Sequence, residues 1–270
     1  MDIKVSILVF DSGVGGLSVY HEIRQLMPEH HYIYAIDNEG FPYGNKTNRT
    51  ISRRVSAYLD AITQQHTIDL GVVACNTVST TCLAALRQRY GFPLVGVVPA
   101  IKPAVQVTRN RRIGLLATKR TLTNPYTAKL INQFASTCHI ELLGLPELAV
   151  LAENKLHGKP ISMEKLAYLL ASWLNLPLPL DTIVLGCTHY PLIVNELRAL
   201  FPTVAFIDSG KAVAQRVLTL SSSSPKIDCL KKNDENLVIT TIYDQEINQL
   251  RPILKEYNLT SLKTITLGAV

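Results

Sequence analysis

Two cysteines follow apolar runs of the sequence in closely matched surroundings. GVVACNTVST, residues 71–80, carries Cys75, and DTIVLGCTHY, residues 181–190, carries Cys187. In each segment, branched apolar residues typical of a buried strand lead to the cysteine, and small polar residues follow it. A lone cysteine in such a place is usually a small buried hydrophobe. The repeated context instead favours two thiols that serve one site.

Two thiols on opposite sides of one ligand suit a particular kind of proton transfer. Removing a proton from one face of a tetrahedral carbon and returning a proton to the other face inverts that centre. This reaction needs two acid/base groups, one for each face. If Cys75 and Cys187 face each other across a cleft, one thiolate accepts the proton while the opposing thiol donates one.

The elements around the first cysteine alternate between strand and helix. Apolar segments at 5–11, 31–37 and 69–75 have strand character, and amphipathic helical patterns follow each of them. This alternation predicts a parallel sheet covered by helices on both faces. Ligands of such sheets bind outside the carboxyl ends of the strands, which is where Cys75 is expected to lie.

The pattern restarts in the second half of the chain. Strand signals occur at 111–121 and 181–187, and Asp69 and Asp181 each lie six residues before their cysteine. The sequence therefore predicts two pseudo-symmetric parallel-sheet α/β domains with the active site in the cleft between them. We expect the first domain at 1–98 plus 208–270 and the second at 99–207, with VAFIDSG, residues 204–210, returning the chain to the first sheet.

Composition limits the classes of protein to consider. With 270 residues, 47% of them hydrophobic, the chain is long enough to form two domains with cores of their own. No apolar run reaches 18 residues, so neither a membrane span nor a membrane partner is expected. Five scattered cysteines without a CxxC pair favour reduced thiols in the cytoplasm over a disulfide framework.

The net charge of +6 raises the question of a nucleic-acid partner. Basic residues occur as short pairs, such as Arg111 with Arg112, and no basic tract with interleaved aromatic residues accompanies them. No nucleic-acid partner is therefore expected. Solvated surfaces account for most of the charge, and a positive field that attracts a small anionic substrate is the other reading.

Two other chemistries compete for the same residues. The turn GVGG, residues 13–16, lacks the third glycine of a dinucleotide-binding fingerprint, and no Gly-Lys-Ser/Thr of a P-loop follows it. A zinc site built from Cys75, Cys187 and His189 is chemically reasonable, but the spacing indicates no fourth ligand. We therefore predict no metal and no cofactor.

Five segments in order, FDSGVGGLSV, FPYGNKT, VVACNTVST, IGLLATKRT and VLGCTHYPLI, resemble the cofactor-independent glutamate racemases of the aspartate/glutamate racemase family. The resemblance runs from about Ile7 to Asp208. It implies interconversion of L- and D-glutamate without pyridoxal phosphate and supply of D-glutamate for peptidoglycan. It also implies a small-molecule substrate and pairing of two copies as a homodimer.

The resemblance also implies roles for individual residues. Cys75 would deprotonate D-glutamate with help from Asp11, and Cys187 would deprotonate L-glutamate with help from His189. An acidic residue is expected on the Cys187 side, and LAENKLHG assigns it to Glu153, with Glu147 as the other candidate. The positions that resemble the family's substrate-binding residues are Asp11, Ser12, Tyr43, Gly44, Asn76, Thr77, Thr118, Thr121, Thr188 and His189.

Alternatives to this function stay open at the level of sequence. Aspartate or another acidic amino acid could be the substrate, because the family shares the two cysteines and pocket depth alone separates the side chains. A protein that binds an amino acid or nucleic acid on the same scaffold without catalysis is a further alternative. The presence of both cysteines argues against this last reading.

Overall fold

A computed structural model describes residues 4–222 and 235–268 of the chain. Its strands form two separate sheets in which every pairing is parallel. The predicted fold class, two parallel-sheet α/β units, is confirmed. Cys229 lies outside the described residues. Within the described residues, no helix combines the length and the apolar character needed to cross a bilayer.

The first sheet has six strands in the order β10-β9-β2-β1-β3-β4. It takes strands from both ends of the chain, and its centre is the apolar strand that the sequence predicted at 5–11. The strands are β1 (Ser6–Asp11), β2 (His31–Ile36), β3 (Leu70–Val73), β4 (Leu94–Gly96), β9 (Leu237–Thr240) and β10 (Ser261–Thr264).

The second sheet has four strands in the order β6-β5-β7-β8. These are β5 (Arg112–Ala117), β6 (His139–Gly144), β7 (Thr182–Gly186) and β8 (Ala205–Ile207). The expectation that residues 204–210 return the chain to the first sheet is wrong for the strand, because β8 pairs with β7. A three-residue edge strand carries too little pattern to reveal which sheet it joins.

Helices connect the strands and cover both faces of each sheet. They are α1 (Leu17–Leu26), α2 (Asn48–Thr63), α3 (Asn76–Arg89), α4 (Ile101–Val107), α5 (Lys119–Thr123), α6 (Pro125–Phe134), α7 (Glu147–Leu156), α8 (Met163–Leu169), α9 (Ala171–Leu174), α10 (Val194–Leu200), α11 (Gly210–Ser221) and α12 (Gln245–Glu256).

Each sheet has an apolar core on both faces. On the first sheet, α1, α11 and α12 pack on one face and α2 and α3 on the other. On the second sheet, α7 to α10 cover one face, while α4 and α6 cover the other. Because α4 packs on the second sheet and α11 on the first, we propose domain boundaries at 98/99 and 207/208.

Asp69 and Asp181, which stand at matching positions before the two cysteines, lie at the opposite edge of the sheets. Asp69 accepts a hydrogen bond of 2.7 Å from the backbone N–H of Ser6. Asp181 accepts bonds of 2.6 and 2.7 Å from the backbone N–H groups of Arg109 and Asn110. Each carboxylate therefore holds the chain at the start of a central strand, β1 in the first sheet and β5 in the second. The two halves thus resemble each other at this edge as well.

A buried ion pair fastens the loop that follows β2. Asp37 is fully buried and accepts bonds of 2.9 and 2.7 Å from Arg54, and Tyr43 and Thr241 also donate to it. Burial alone would raise the pKa of Asp37, but the hydrogen bonds from Arg54 and Tyr43 outweigh it and lower that pKa. The loop carrying Tyr43 and Gly44 is thereby held against the first domain.

Replacing this carboxylate should destabilise the fold. Asp37→Ala leaves the Arg54 guanidinium without its buried partner, and we expect the free energy of unfolding in urea at pH 7 to fall by about 3–5 kcal/mol. The matched control is Arg89→Ala, which breaks an exposed ion pair with Asp60 and should change stability far less. Equal losses in the two variants would contradict this reading of Asp37.

Candidate active site

Cys75 lies where strand β3 gives way to helix α3. It occupies the position before the first residue of α3, only 7% of its surface is exposed, and no side chain caps this helix end. A hydrogen bond from the backbone N–H of Val78 acts to lower the pKa of the Cys75 thiol. The first turn of a helix carries free N–H groups and partial positive charge, so this strand end can hold both a thiol and an anion.

Cys187 occupies the matching place in the second sheet. It follows β7 directly, is 8% exposed, and precedes a short 3₁₀ turn at Tyr190–Ile193. Thr188, the residue after Cys187, donates a 2.9 Å hydrogen bond to Asp11 at the end of β1, and the charge of Cys187 contributes to the raised pKa of Cys75. The carboxyl ends of strands from two different sheets therefore bring the predicted pair of sulfurs to one place.

Asp11 ends strand β1 beside Cys75 and is fully buried. Its Oδ1 accepts a 2.6 Å bond from the backbone N–H of Ser12, and its Oδ2 accepts a 2.9 Å bond from the hydroxyl of Thr188 in the other sheet's loop. Burial raises the pKa of Asp11 to about 6 against the lowering effect of His189 and Thr188. Burial and the neighbouring Asp11 together raise the pKa of Cys75 well above its ordinary value.

A chain of contacts stands behind Cys187. Its sulfur lies 3.8 Å from Nδ1 of His189, and Nε2 of His189 lies 2.8 Å from Oε1 of Glu153. Burial opposes protonation of His189, but hydrogen bonds to Cys187 and Glu153 outweigh it and raise its pKa well above the usual value. Thiol, imidazole and carboxylate thus form a chain able to share a proton.

The structure separates the two glutamates that the sequence left open. Glu153 lies in the middle of α7 and contacts His189, whereas Glu147 begins the same helix and is exposed. The same Oε1 atom of Glu153 also accepts a 2.8 Å bond from the backbone N–H of Val14 in the first domain. Glu153 therefore joins the Cys187 side of the site to the opposite sheet.

The glycine turn after Asp11 has a steric purpose. A Cβ atom on Gly13 would stand 2.0 Å from Oε1 of Glu153, and one on Gly15 would stand 2.3 Å from Nδ1 of His189. The turn therefore lacks side chains where the second domain inserts its own. The sequence pattern placed GVGG in a tight turn, but nothing in it showed that a histidine fills the space.

A group of hydroxyls lies at the other side of the site. Oγ1 of Thr118 is 3.1 Å from the hydroxyls of both Thr77 and Thr121, so α3 meets the second domain through these threonines. Nδ2 of Asn76 is buried and has no hydrogen-bond partner in the described structure. A buried amide without a partner costs free energy, so Asn76 is poised to bind a ligand oxygen.

The loop that carries Tyr43 and Gly44 packs against Thr118 of the second domain. The Tyr43 hydroxyl donates to Asp37, so it is used in anchoring its own loop. A Cβ on Gly44 would lie 3.2 Å from Thr118, which places this loop against the threonine group.

Sequence reasoning missed Ser18 in α1. Its hydroxyl donates a 2.8 Å hydrogen bond to the carbonyl of Thr188 and adds a further bond between the two halves. A serine in an amphipathic helix gives no signal of such a contact.

The described residues contain no group of three or more His, Cys, Asp or Glu side chains arranged to hold a metal ion. The predicted site residues include two neighbouring groups, Cys75 with Asp11 and Cys187 with His189 and Glu153.

The chain is similar to known proteins over nearly its whole length. Residues 7–217 match the sequence model of the family described as Asp/Glu/Hydantoin racemase. The chain belongs to this racemase family. A glutamate racemase of Klebsiella pneumoniae (strain 342) is 49% identical over 268 residues, which cover 98% of this chain and 94% of that protein. The glutamate racemase of Pectobacterium carotovorum subsp. carotovorum (strain PC1) is 50% identical over 267 residues, covering 98% and 92%.

Solved structures of the family have the same fold. The crystal structure of Escherichia coli glutamate racemase in complex with L-glutamate and the activator UDP-MurNAc-Ala superposes with a TM-score of 0.94 at 46% identity, covering 98% of this chain and 100% of that one. A glutamate racemase isoform from Bacillus anthracis gives a TM-score of 0.82 at 28% identity, covering 98% and 99%. Membership of the racemase family thus rests on both sequence and architecture.

Restoring a side chain to the glycine turn should displace the histidine. In Gly15→Ala the new Cβ collides with the His189 ring, so we expect Cys187 to lose the imidazole that supports its thiolate. Alkylation of Cys187 by iodoacetamide at pH 7, followed by peptide mass spectrometry, should slow. Gly91→Ala is the control, since a Cβ there meets nothing within 4 Å. An unchanged Cys187 rate in Gly15→Ala would show that the ring keeps its place.

Proposed function

We propose that this protein interconverts L-glutamate and D-glutamate by moving protons on and off Cα with two cysteines and without a cofactor. The observation that carries this proposal is the placement of Cys75 and Cys187 at strand ends of two different sheets, each with its own acid/base partner. Single-sided proton transfer would need one such group. Two facing groups are what inversion of a carbon centre requires.

On the Cys75 side, the substrate completes the electrostatics. The pKa of Cys75 is raised by burial and by Asp11, so its thiolate is costly before substrate arrives. The ammonium group of an amino acid placed beside Asp11 brings a positive charge into this buried place. This charge lowers the cost of forming the Cys75 thiolate, which then removes the α-proton of D-glutamate. The Cys187 thiol delivers a proton to the other face of Cα.

On the Cys187 side, the protein supplies the positive charge itself. His189 is held protonated by Cys187 and Glu153, and an imidazolium beside a sulfur stabilises the thiolate. In the direction from L-glutamate, Cys187 removes the α-proton and Cys75 returns one. His189 and Glu153 therefore act as a pair, with the imidazole against the sulfur and the carboxylate orienting the ring.

The carboxylates of the substrate fit the polar groups around the two sulfurs. The uncapped first turn of α3 presents backbone N–H groups, and the unpartnered amide of Asn76 lies in that turn. The hydroxyls of Thr77, Thr118 and Thr121 lie together, and those of Ser12 and Thr188 contact Asp11. An amino acid's α-proton is only weakly acidic, so donors fixed on the α-carboxylate are needed where charge develops during proton removal.

Glutamate is favoured as the substrate by the relatives. The two relatives at 49% and 50% identity are named glutamate racemases, and the E. coli structure was solved with L-glutamate. We propose that the D-glutamate product serves peptidoglycan synthesis and that the protein works in the cytoplasm, where its thiols stay reduced. The pairing of two copies as a homodimer stays a prediction from the family resemblance.

Replacing either cysteine should abolish inversion. A hydroxyl is a far weaker acid and base than a thiol, so Cys75→Ser and Cys187→Ser should each lower kcat for racemisation by about 10²–10⁴-fold in both directions. Circular dichroism with L- or D-glutamate measures this rate. Cys82→Ser is the matched control, because Cys82 lies within α3, donates to the carbonyl of Val78 and should leave the rate unchanged.

Heavy water distinguishes two bases from one. With L-glutamate in heavy water, the wild-type protein should place deuterium at Cα of the D-glutamate product before deuterium appears in recovered L-glutamate. Equal early labelling of both enantiomers would contradict the two-base mechanism. Turnover of aspartate at a matching kcat/KM would contradict the assignment to glutamate, and absence of turnover with both amino acids would favour a binding protein.

The fall of kcat/KM at low pH should follow the protonation of Asp11. Its pKa is raised to about 6, so Asp11 becomes protonated and stops balancing the substrate ammonium as the pH falls through that value. We expect kcat/KM to decline between pH 7 and pH 5 with a midpoint near this pKa. Asp11→Asn should be slower at every pH and should lack this decline. A decline that persists in Asp11→Asn would assign the titration to another group.

A further inference from the structure

Tyr34 is a buried tyrosine that no sequence motif singled out. It lies in β2, its side chain is fully buried, and its hydroxyl donates a 3.0 Å hydrogen bond to the carbonyl of Gly13. Tyr34 therefore fastens the glycine turn to strand β2.

The bond from Tyr34 acts on a peptide unit that matters at its other end. The carbonyl of Gly13 and the N–H of Val14 belong to the same planar peptide group, so fixing one fixes the direction of the other. That N–H donates the 2.8 Å bond to Oε1 of Glu153. A hydroxyl from the first domain thus sets the orientation of a donor that holds a carboxylate of the second.

The held carboxylate is the one that contacts His189. Oε1 of Glu153 accepts from both Val14 and His189, and His189 in turn lies against the Cys187 sulfur. If the peptide turned, Glu153 would lose one of the two groups that fix it. The imidazole would then be oriented less firmly and would support the Cys187 thiolate less well.

We propose that Tyr34 is a positioning residue for the Cys187 side of the site, acting through the Gly13–Val14 peptide on Glu153 and His189. This inference rests on the proposed function for its effect on turnover, but not for its effect on the thiol. Burial and the nearby Asp11 and Glu153 raise the pKa of Tyr34 well above its ordinary value. Its hydroxyl therefore keeps its proton and remains a donor wherever the protein is folded at moderate pH.

Neighbouring tyrosines provide matched controls. Tyr20 and Tyr32 lie in the same core, are fully buried, and donate to the carbonyls of Tyr257 and Met27, away from the two sulfurs. Replacing Tyr32 by Phe removes one buried hydroxyl from the same core without touching the glycine turn. Differences between Tyr34→Phe and Tyr32→Phe therefore isolate the contact with Gly13.

The first experiment compares these two variants with the wild type. For Tyr34→Phe we expect kcat with glutamate to fall about fivefold to tenfold, the effect of one lost hydrogen bond, while KM stays within about twofold. The rate of Cys187 alkylation by iodoacetamide at pH 7, without substrate, should fall as well. Tyr32→Phe should match the wild type in all of these measurements. Equal kinetics and alkylation in Tyr34→Phe and Tyr32→Phe would overturn the proposal.

A double-mutant cycle tests the route through Glu153. Glu153→Gln should slow Cys187 alkylation, and adding Tyr34→Phe to it should slow alkylation no further, because the group through which Tyr34 acts is already altered. Additive effects would overturn the proposal and leave Tyr34 a structural residue. This readout needs no turnover, so failure of wild-type racemisation would refute the proposed function and leave the cycle to decide on Tyr34.

A second variant covers the case in which Tyr34→Phe does not fold. Val14→Pro removes the N–H at the other end of the same peptide, and proline is well tolerated at the first position of a helical turn. It should reduce Cys187 alkylation as Tyr34→Phe does and be non-additive with Glu153→Gln. Wild-type alkylation in Val14→Pro would overturn the proposal.

Discussion

The geometry of the site depends on two carboxylates that accept hydrogen bonds across the junction between the two sheets. Asp11 belongs to the first sheet but accepts a bond from Thr188 of the second, and Glu153 belongs to the second but accepts a bond from Val14 of the first. A buried carboxylate is tolerated only when donors surround it. Neither half supplies all of the donors for its own charge, so the acid/base groups are complete only where the halves meet.

The two buried thiols have different charged groups beside them. Beside Cys187, the protein provides a cation in His189, with Glu153 behind it. Beside Cys75, the carboxylate of Asp11 raises the pKa of the thiol, and in the proposed reaction the ammonium group of the ligand compensates for it. Two halves with the same architecture thus hold two thiols in different electrostatic surroundings, which suits a reaction that enters from either enantiomer.

The fold and the residue types of the site could be predicted from the sequence, but most contacts between those residues could not. Alternating patterns predicted the parallel sheets, and the matched segments around Cys75 and Cys187 predicted a thiol at a strand end of each sheet, where ligands of parallel sheets bind. The choice of Glu153 over Glu147 and the bond from Tyr34 to Gly13 depend on packing between segments distant in sequence, which periodicity does not encode. The edge strand β8 was misplaced because three residues match either sheet.

The glycine turn has a consequence for how such a protein can change over generations. Space left empty by Gly13 and Gly15 in one half is filled by Glu153 and His189 of the other. A substitution at one of these positions therefore has to fit side chains that lie more than a hundred residues away in the sequence. Facing positions in the two halves therefore have to stay compatible, and a chimera that joins halves from distant relatives would bring mismatched surfaces together at the proposed site.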